Sequence, residues 1–159
     1  MKKLNIPNEN DWTGYKNDLD LVDMHRLFYS KSIDDTFHYF KNGASISRAD
    51  ELLFANKKVF QYYIFSFLKY LLSEIGRNDA EATEVFLSLL LAREKRDPGS
   101  VSDIYYLKVP LNIDGENKEI SIANALVDIK NRECTNQERK ENQEVCETLY
   151  KVENTFSQK

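Results

Sequence analysis

Residues 57–75 read KKVFQYYIFSFLKYLLSEI, the densest apolar run in the chain. Set at 100° per residue, the run separates into two faces. Lys58, Tyr62, Ser66, Lys69 and Ser73 share one stripe about 80° wide, while Val59, Phe60, Tyr63, Ile64, Phe67, Leu68 and Leu71 lie away from it. A helix that is apolar around most of its circumference belongs inside a protein core or a membrane. The run sits at the short end for a span, and Lys69 within it would cost about 2.5–3.5 kcal/mol near a bilayer centre. The stretch therefore reads as the central helix of a soluble bundle, with its aromatics as core rather than as a cofactor box. Its polar stripe is expected to face water or a partner, with Tyr62 as an exposed aromatic and Lys69 as an exposed cation.

Working outward, helix punctuation recurs. Ser32 with Asp35, Ser47 with Asp50, Asn78 with Glu81, Ser100 with Asp103 and Thr135 with Glu138 each set a small polar residue three positions before an acid. Such a residue caps the first helical turn, and the acid complements the helix dipole. These signals predict helices over 20–29, 33–41, 47–75, 79–96 and 101–108. Asn42-Gly43 stops the second and Gly76 the third, and Pro98-Gly99 ends the fourth. The run VPLNIDGENKEISI then alternates Val109, Leu111, Ile113, Ile120 and Ile122 around DGEN, which predicts a β-hairpin with Pro110 on an edge strand. Helix resumes over 123–131 and again over about 136–156, the latter carrying a narrow stripe of Val145, Leu149, Val152 and Phe156. That stripe is expected to pack within the fold. The fold class is mainly α: an irregular helical bundle around a long central helix (about 47–75), with a small β-hairpin near 109–122. At 159 residues the chain makes one domain over 1–159, with 1–10 and 157–159 as loosely ordered ends.

The formal net charge of −4 argues against nucleic acid, which draws on clustered Lys and Arg. The start MKKLNIPNENDW has the lysines of a signal peptide but turns polar where an apolar region is required, so a cytoplasmic location is expected. Cys134 and Cys146 lack the spacing of a zinc or redox motif and read as two reduced thiols.

Candidate chemistry is sparse. His25 has Asp23 beside it, and His38 follows Asp34 at four residues, a spacing that can share a metal on one helix face. No H-E-x-x-H pair completes such a site. NIDGENKE places its glycine too early for a calcium loop. REKRDPGS has residues for an anion but also those of an ordinary helix C-terminus. The five glycines are scattered singly, so no phosphate loop is present, and no Ser or Cys sits in a nucleophile context.

Three functions follow as expectations. The first is a small protein-binding module, not an enzyme and without cofactor, that masks a basic partner as an immunity protein or antitoxin masks a toxin. Its motivation is the acid-rich N-terminal region, since acidic surfaces speed association with basic sites. The candidate partner-binding residues are Asp18, Asp20, Asp23, Asp34, Asp35, Tyr62 and Lys69. The second is a metal-dependent enzyme using the His25/His38 region. The third is a structural or self-associating helical protein. For the first, the chain is expected to be a monomer or weak homodimer that meets neither membrane nor nucleic acid.

Overall fold

A computed structural model describes residues 4–134 and 143–157. The chain is mainly helical with one two-stranded antiparallel hairpin, as the patterning predicts. In order it forms α1 (Leu19–Phe28), α2 (Ile33–Thr36), α3 (Ser45–Phe54), α4 (Lys57–Leu72), α5 (Ala80–Arg96), β1 (Val109–Ile113), β2 (Glu116–Ile120), α6 (Ile122–Glu133) and α7 (Gln143–Phe156). Short 3-10 turns at Glu9–Trp12, Tyr15–Asn17 and Phe37–Phe40 join the first elements. Among the described residues no helix is long and apolar enough to cross a membrane.

Helix α4 is the spine. Every residue from Val59 to Leu72 is buried, Tyr62, Ser66 and Lys69 of the polar stripe included, while Lys58 at its start stays exposed. This corrects the expectation that Tyr62 and Lys69 are exposed: they retain 7% and 5% of their accessible surface. The covering layer is the chain's own segment 32–40. The Ile33 N–H donates to the Tyr62 hydroxyl at 3.2 Å. The Thr36 and Ser66 hydroxyls bond each other at 2.8 Å. Lys69 Nζ donates to Asp34 Oδ1 and lies 4.4 Å from the centre of the Phe37 ring. A polar stripe buried this way is tolerable because each polar group finds a partner. On the other flank Tyr63 donates to the carbonyls of Phe28 and Lys31 at 2.6 and 2.8 Å, tying α4 to the end of α1.

The single long helix expected over 47–75 is two helices. α3 ends at Phe54 and α4 begins at Lys57, with Ala55 extended at ψ 158°. No glycine or proline marks the break. It is held by tertiary partners: Arg93 Nη1 donates to the carbonyls of Leu52, Leu53 and Ala55, and Asn56 Nδ2 donates to those of Asp11 and Thr13. The expected Ser47 cap lies inside α3, which starts at Ser45 without a side-chain cap. Asp79, not Asn78, caps α5, accepting from the Ala82 N–H. The Ser32–Asp35 box forms as predicted, and a second box forms at Asn8–Asp11. Pro7, just before that box, is buried. Residues 101–106 form turns and 107–108 lead into β1, so no helix forms over 101–108, and the predicted start at Thr135 lies outside the described residues. Gly76 sits where a Cβ would fall 2.1 Å from the Tyr70 carbonyl oxygen, so only glycine allows the turn after α4.

The hairpin pairs Val109 with Ile120 through Ile113 with Glu116, and its turn residues Asp114 and Gly115 have φ of 50° and 93°. Both positive values fit a type I′ turn. Counting from a two-residue turn, hydrogen-bonded pairs fall at 113, 111 and 109, so Pro110 sits where an N–H would point away from β2. Its missing donor therefore costs the ladder nothing and blunts the open edge. The narrow stripe of α7 packs within the fold: Val145, Leu149, Val152 and Phe156 are all buried, against α5 and α6.

Cys134, at the end of α6, and Cys146, in α7, are joined by a disulfide with their Cα atoms 5.7 Å apart. The reading of two reduced thiols is corrected. Their spacing of 12 residues shows nothing by itself; the return of α7 against α6 brings them together.

Candidate functional site

The structure divides the sequence-selected residues into two groups. Asp34, Asp35, Tyr62 and Lys69 meet where α2 crosses α4. Asp18, Asp20 and Asp23 lie at α1, on another part of the surface.

Most of the first group is engaged within the chain. Asp35 completes the Ser32 capping box, which holds its carboxyl below the usual range through hydrogen bonds from Ser32. Asp34 neutralises Lys69. Burial pushes the Tyr62 phenol up, against the bond from the Ile33 N–H. Next to them a cavity of about 520 Å³ opens between α2, α4 and β1, walled by Leu4, Ile33, Tyr62, Leu107, Val109 and Pro110. Its size suits a small molecule. The Tyr62 hydroxyl and the Lys69 ammonium beside it are already partnered by Ile33 and Asp34.

The histidines are drawn apart from their sequence neighbours. His25 is stacked between Tyr15 and Tyr29, with ring centres 3.8 and 4.5 Å away, and its Nε2 lies 3.6 Å from Glu9. Asp23 pairs with Arg26 and Asp34 with Lys69, so neither serves its histidine. Among the described residues no group of three or more His, Cys, Asp or Glu is arranged to hold a metal ion. The REKRDPGS segment does gather N–H groups, but Glu94 fills them itself. Its carboxylate accepts from the N–H groups of Gly99, Val101 and Ser102 and from the Ser102 hydroxyl. These bonds hold its pKa low although burial pulls the other way.

The second group surrounds a residue that the sequence reading passed over. Asp18 caps α1, accepting from the Asp20 N–H at 2.9 Å, while Asp20 and Asp23 are exposed beside Leu19 and Val22. Beneath them Glu51 of α3 keeps 4% of its surface. Burial pushes its carboxyl up to about 7; Arg48, 2.7 Å away, opposes the rise, and Asp23, Asp20 and Asp50 add to it. The Arg48–Glu51 contact lacks hydrogen-bond alignment, so the desolvated carboxylate is incompletely compensated.

A pH dependence follows. Because the folded state binds the Glu51 proton more tightly than the unfolded chain, the stability contributed there falls as pH rises from about 4.5 to 7 and stays low above that. Relative to wild type, Glu51→Gln should gain about 2–3 kcal/mol between pH 4.5 and pH 8. Urea unfolding of both proteins across that range checks this, and parallel pH curves would contradict it.

Next to this face, α3 and α5 run side by side in the same direction, since Arg93 near the end of α5 reaches the last carbonyls of α3. A groove of about 290 Å³ lies between them. Ala49 and Leu89 are buried in it, Ile46, Leu53 and Val85 wall it, and the carboxylates of Asp50 and Glu84 border it. Ile46 is 50% exposed. Glu84 Oε1 accepts from the hydroxyls of Thr148 at 2.9 Å and Ser88 at 3.4 Å, while Oε2 is buried with no donor among the described residues. The neighbouring α3 and α7 make the face of α5 that carries Glu84 a groove wall. Compared with protein-family models, curated proteins and solved structures, the chain matches none.

Proposed function

We propose that this protein works by binding another protein, masking a basic partner in the manner of an immunity protein or antitoxin, without a catalytic step of its own. The observation that carries the reading is the crowding of Asp20, Asp23 and Asp50 around buried Glu51, next to apolar side chains left in water. Leu19 is 85% exposed between Asp18 and Asp20, and Val22 is exposed between Asp20 and Asp23. Of the cations at this face, Arg26 pairs with Asp23 and Arg48 with Glu51. Exposed apolar anchors ringed by one sign of charge match a partner of the other sign, with the charges setting the encounter rate.

The test is association with a candidate partner, such as the product of an adjacent gene, followed by calorimetry and stopped-flow at two salt concentrations. Dissociation constants below about 1 μM are expected, with an association rate that falls as salt rises. The triple variant Asp20→Lys, Asp23→Lys, Asp50→Lys should slow association by at least about tenfold. A set of partners that all bind weaker than micromolar, or a rate indifferent to the charge reversal, would remove the reading.

A further inference from the structure

Resting on that binding reading, we propose that the groove between α3 and α5 receives an amphipathic basic helix of the partner, with apolar side chains against Ile46, Leu53, Val85 and Leu89 and a lysine or arginine facing Glu84.

The charge of the groove sets the sign of its occupant. Two carboxylates, Asp50 and Glu84, border it, and among the described residues none that lines it is Lys, Arg or His. Asp50 is exposed. Glu84 carries a buried oxygen that receives no donor among the described residues. An acceptor held away from water without a donor is an unfavourable arrangement, and a turn of the Glu84 carboxylate toward the groove lets an incoming N–H group relieve it. An ammonium or guanidinium supplies that donor with a charge-assisted bond.

The shape of the groove sets the form of the occupant. Its walls repeat at helical spacing, Ile46 to Leu53 on α3 and Val85 to Leu89 and Ala92 on α5. The span is about two helical turns, roughly 10 Å. Two helices side by side offer no free backbone edge for a strand, whereas a third helix can lay its ridge into the furrow between them. At about 290 Å³ and open along its length, the groove gives a small molecule little enclosure. A second copy of this chain is a poor match, because a symmetric contact would set Glu84 and Asp50 against themselves, within a chain of net charge −4.

The probe is a capped 14-residue helical peptide with Leu at positions i, i+3, i+4 and i+7 and Lys on the flanks. It is titrated into the isotope-labelled full chain and read by amide and methyl NMR. A control peptide carries Glu in place of every Lys. The expected result is a shift pattern centred on Ile46, Leu53, Val85 and Leu89. Glu84→Gln, which keeps the side-chain shape, should weaken binding about fivefold, and Ile46→Asp should abolish it. Equal affinity for Glu84→Gln and wild type overturns the proposal, as does mapping to the cavity beside β1 or to no site at all. A dimer through this groove in light scattering also overturns it. If the Lys peptide maps to α1 instead, the groove assignment fails while the basic-partner reading stands. If the Glu peptide binds as well as the Lys peptide, the basic-partner reading itself falls.

Discussion

Arg93→Ala is expected to cost about 3–5 kcal/mol of folding stability, a large share of the roughly 5–15 kcal/mol that a folded domain commonly has. The side chain keeps 3% of its surface. Its Nε donates to the Ser100 hydroxyl at 3.0 Å, its Nη1 to the carbonyls of Leu52, Leu53 and Ala55, and its Nη2 to Asp97 at 3.2 Å. The guanidinium also lies 4.9 Å from the centre of the Phe60 ring. Burial lowers its pKa and Asp97 opposes the change. Truncation would leave carbonyls at the end of α3 without their donor, each worth about 1–3 kcal/mol when it stays buried. It would also leave a void against Phe60. Urea midpoints of wild type and variant measure the loss. Arg93→Lys should recover only part of it, because an ammonium does not reproduce the planar fork. Lys95→Ala, at an exposed position on the same helix, should stay within about 0.5 kcal/mol of wild type. A loss below about 1 kcal/mol for Arg93→Ala would show that water or a shifted backbone replaces the arginine, and the account of the α3–α4 break would go with it.

The same residue shows what the sequence could and could not convey. Apolar periodicity identifies α4, α5 and the stripe of α7 because those signals are local: each face is written in residues three and four apart. The DGEN turn is local too, since positive φ at both central residues narrows the choice of side chains. The break at Ala55–Asn56 is not local. ELLFANKK is an acceptable helix by propensity, and it ends where it does because Arg93, 38 residues beyond Ala55, takes its carbonyls. The polar stripe of α4 was misjudged for a similar reason. Lys58 does stay in water, but Tyr62, Ser66 and Lys69 look wet too unless one knows that Ile33, Thr36 and Asp34 will sit on them.

Of the site, the acidity of the N-terminal region was legible, but its division was not. Asp34 and Asp35 stand only 11 residues or more from the acids of α1, yet they serve a cap and a buried lysine, while Asp20 and Asp23 crowd Glu51. Nothing in the local pattern of SISRADELLF tells Glu51, which is buried, from Asp50, which is exposed. The groove between α3 and α5 was hidden by the one-helix reading, because a continuous helix over 47–75 would have had no free α3 to lie beside α5.

Breaking the Cys134–Cys146 bond is the second large perturbation, expected to cost about 2–3 kcal/mol. The bond closes a loop with a sequence separation of 12, and loop-closure entropy for about 15 residues is near 3 kcal/mol. Helix α7 is held by one apolar stripe, by Phe156 stacked 5.2 Å from Tyr105, by the Lys130–Glu153 pair at 3.3 Å and by Thr148 on Glu84. The bond fixes its first turns to the end of α6. Cys134→Ser, Cys146→Ser or a dithiol reductant should therefore lower the urea midpoint by a similar amount. Amide protection in α7 should fall before protection in α4. Thiol titration of unreduced protein should find no free thiol, and alkylation at the moment of cell lysis reports the state in the cell. A glutathione-poised cytosol keeps such pairs reduced, whereas an oxidising compartment keeps them joined. Two alkylated cysteines in that experiment would favour a cytoplasmic protein in which α7 relies on packing alone; none would place its working form in an oxidising compartment. Equal urea midpoints with and without reductant would show that the bond adds nothing to the hold on α7, and that the Val145–Phe156 stripe suffices by itself.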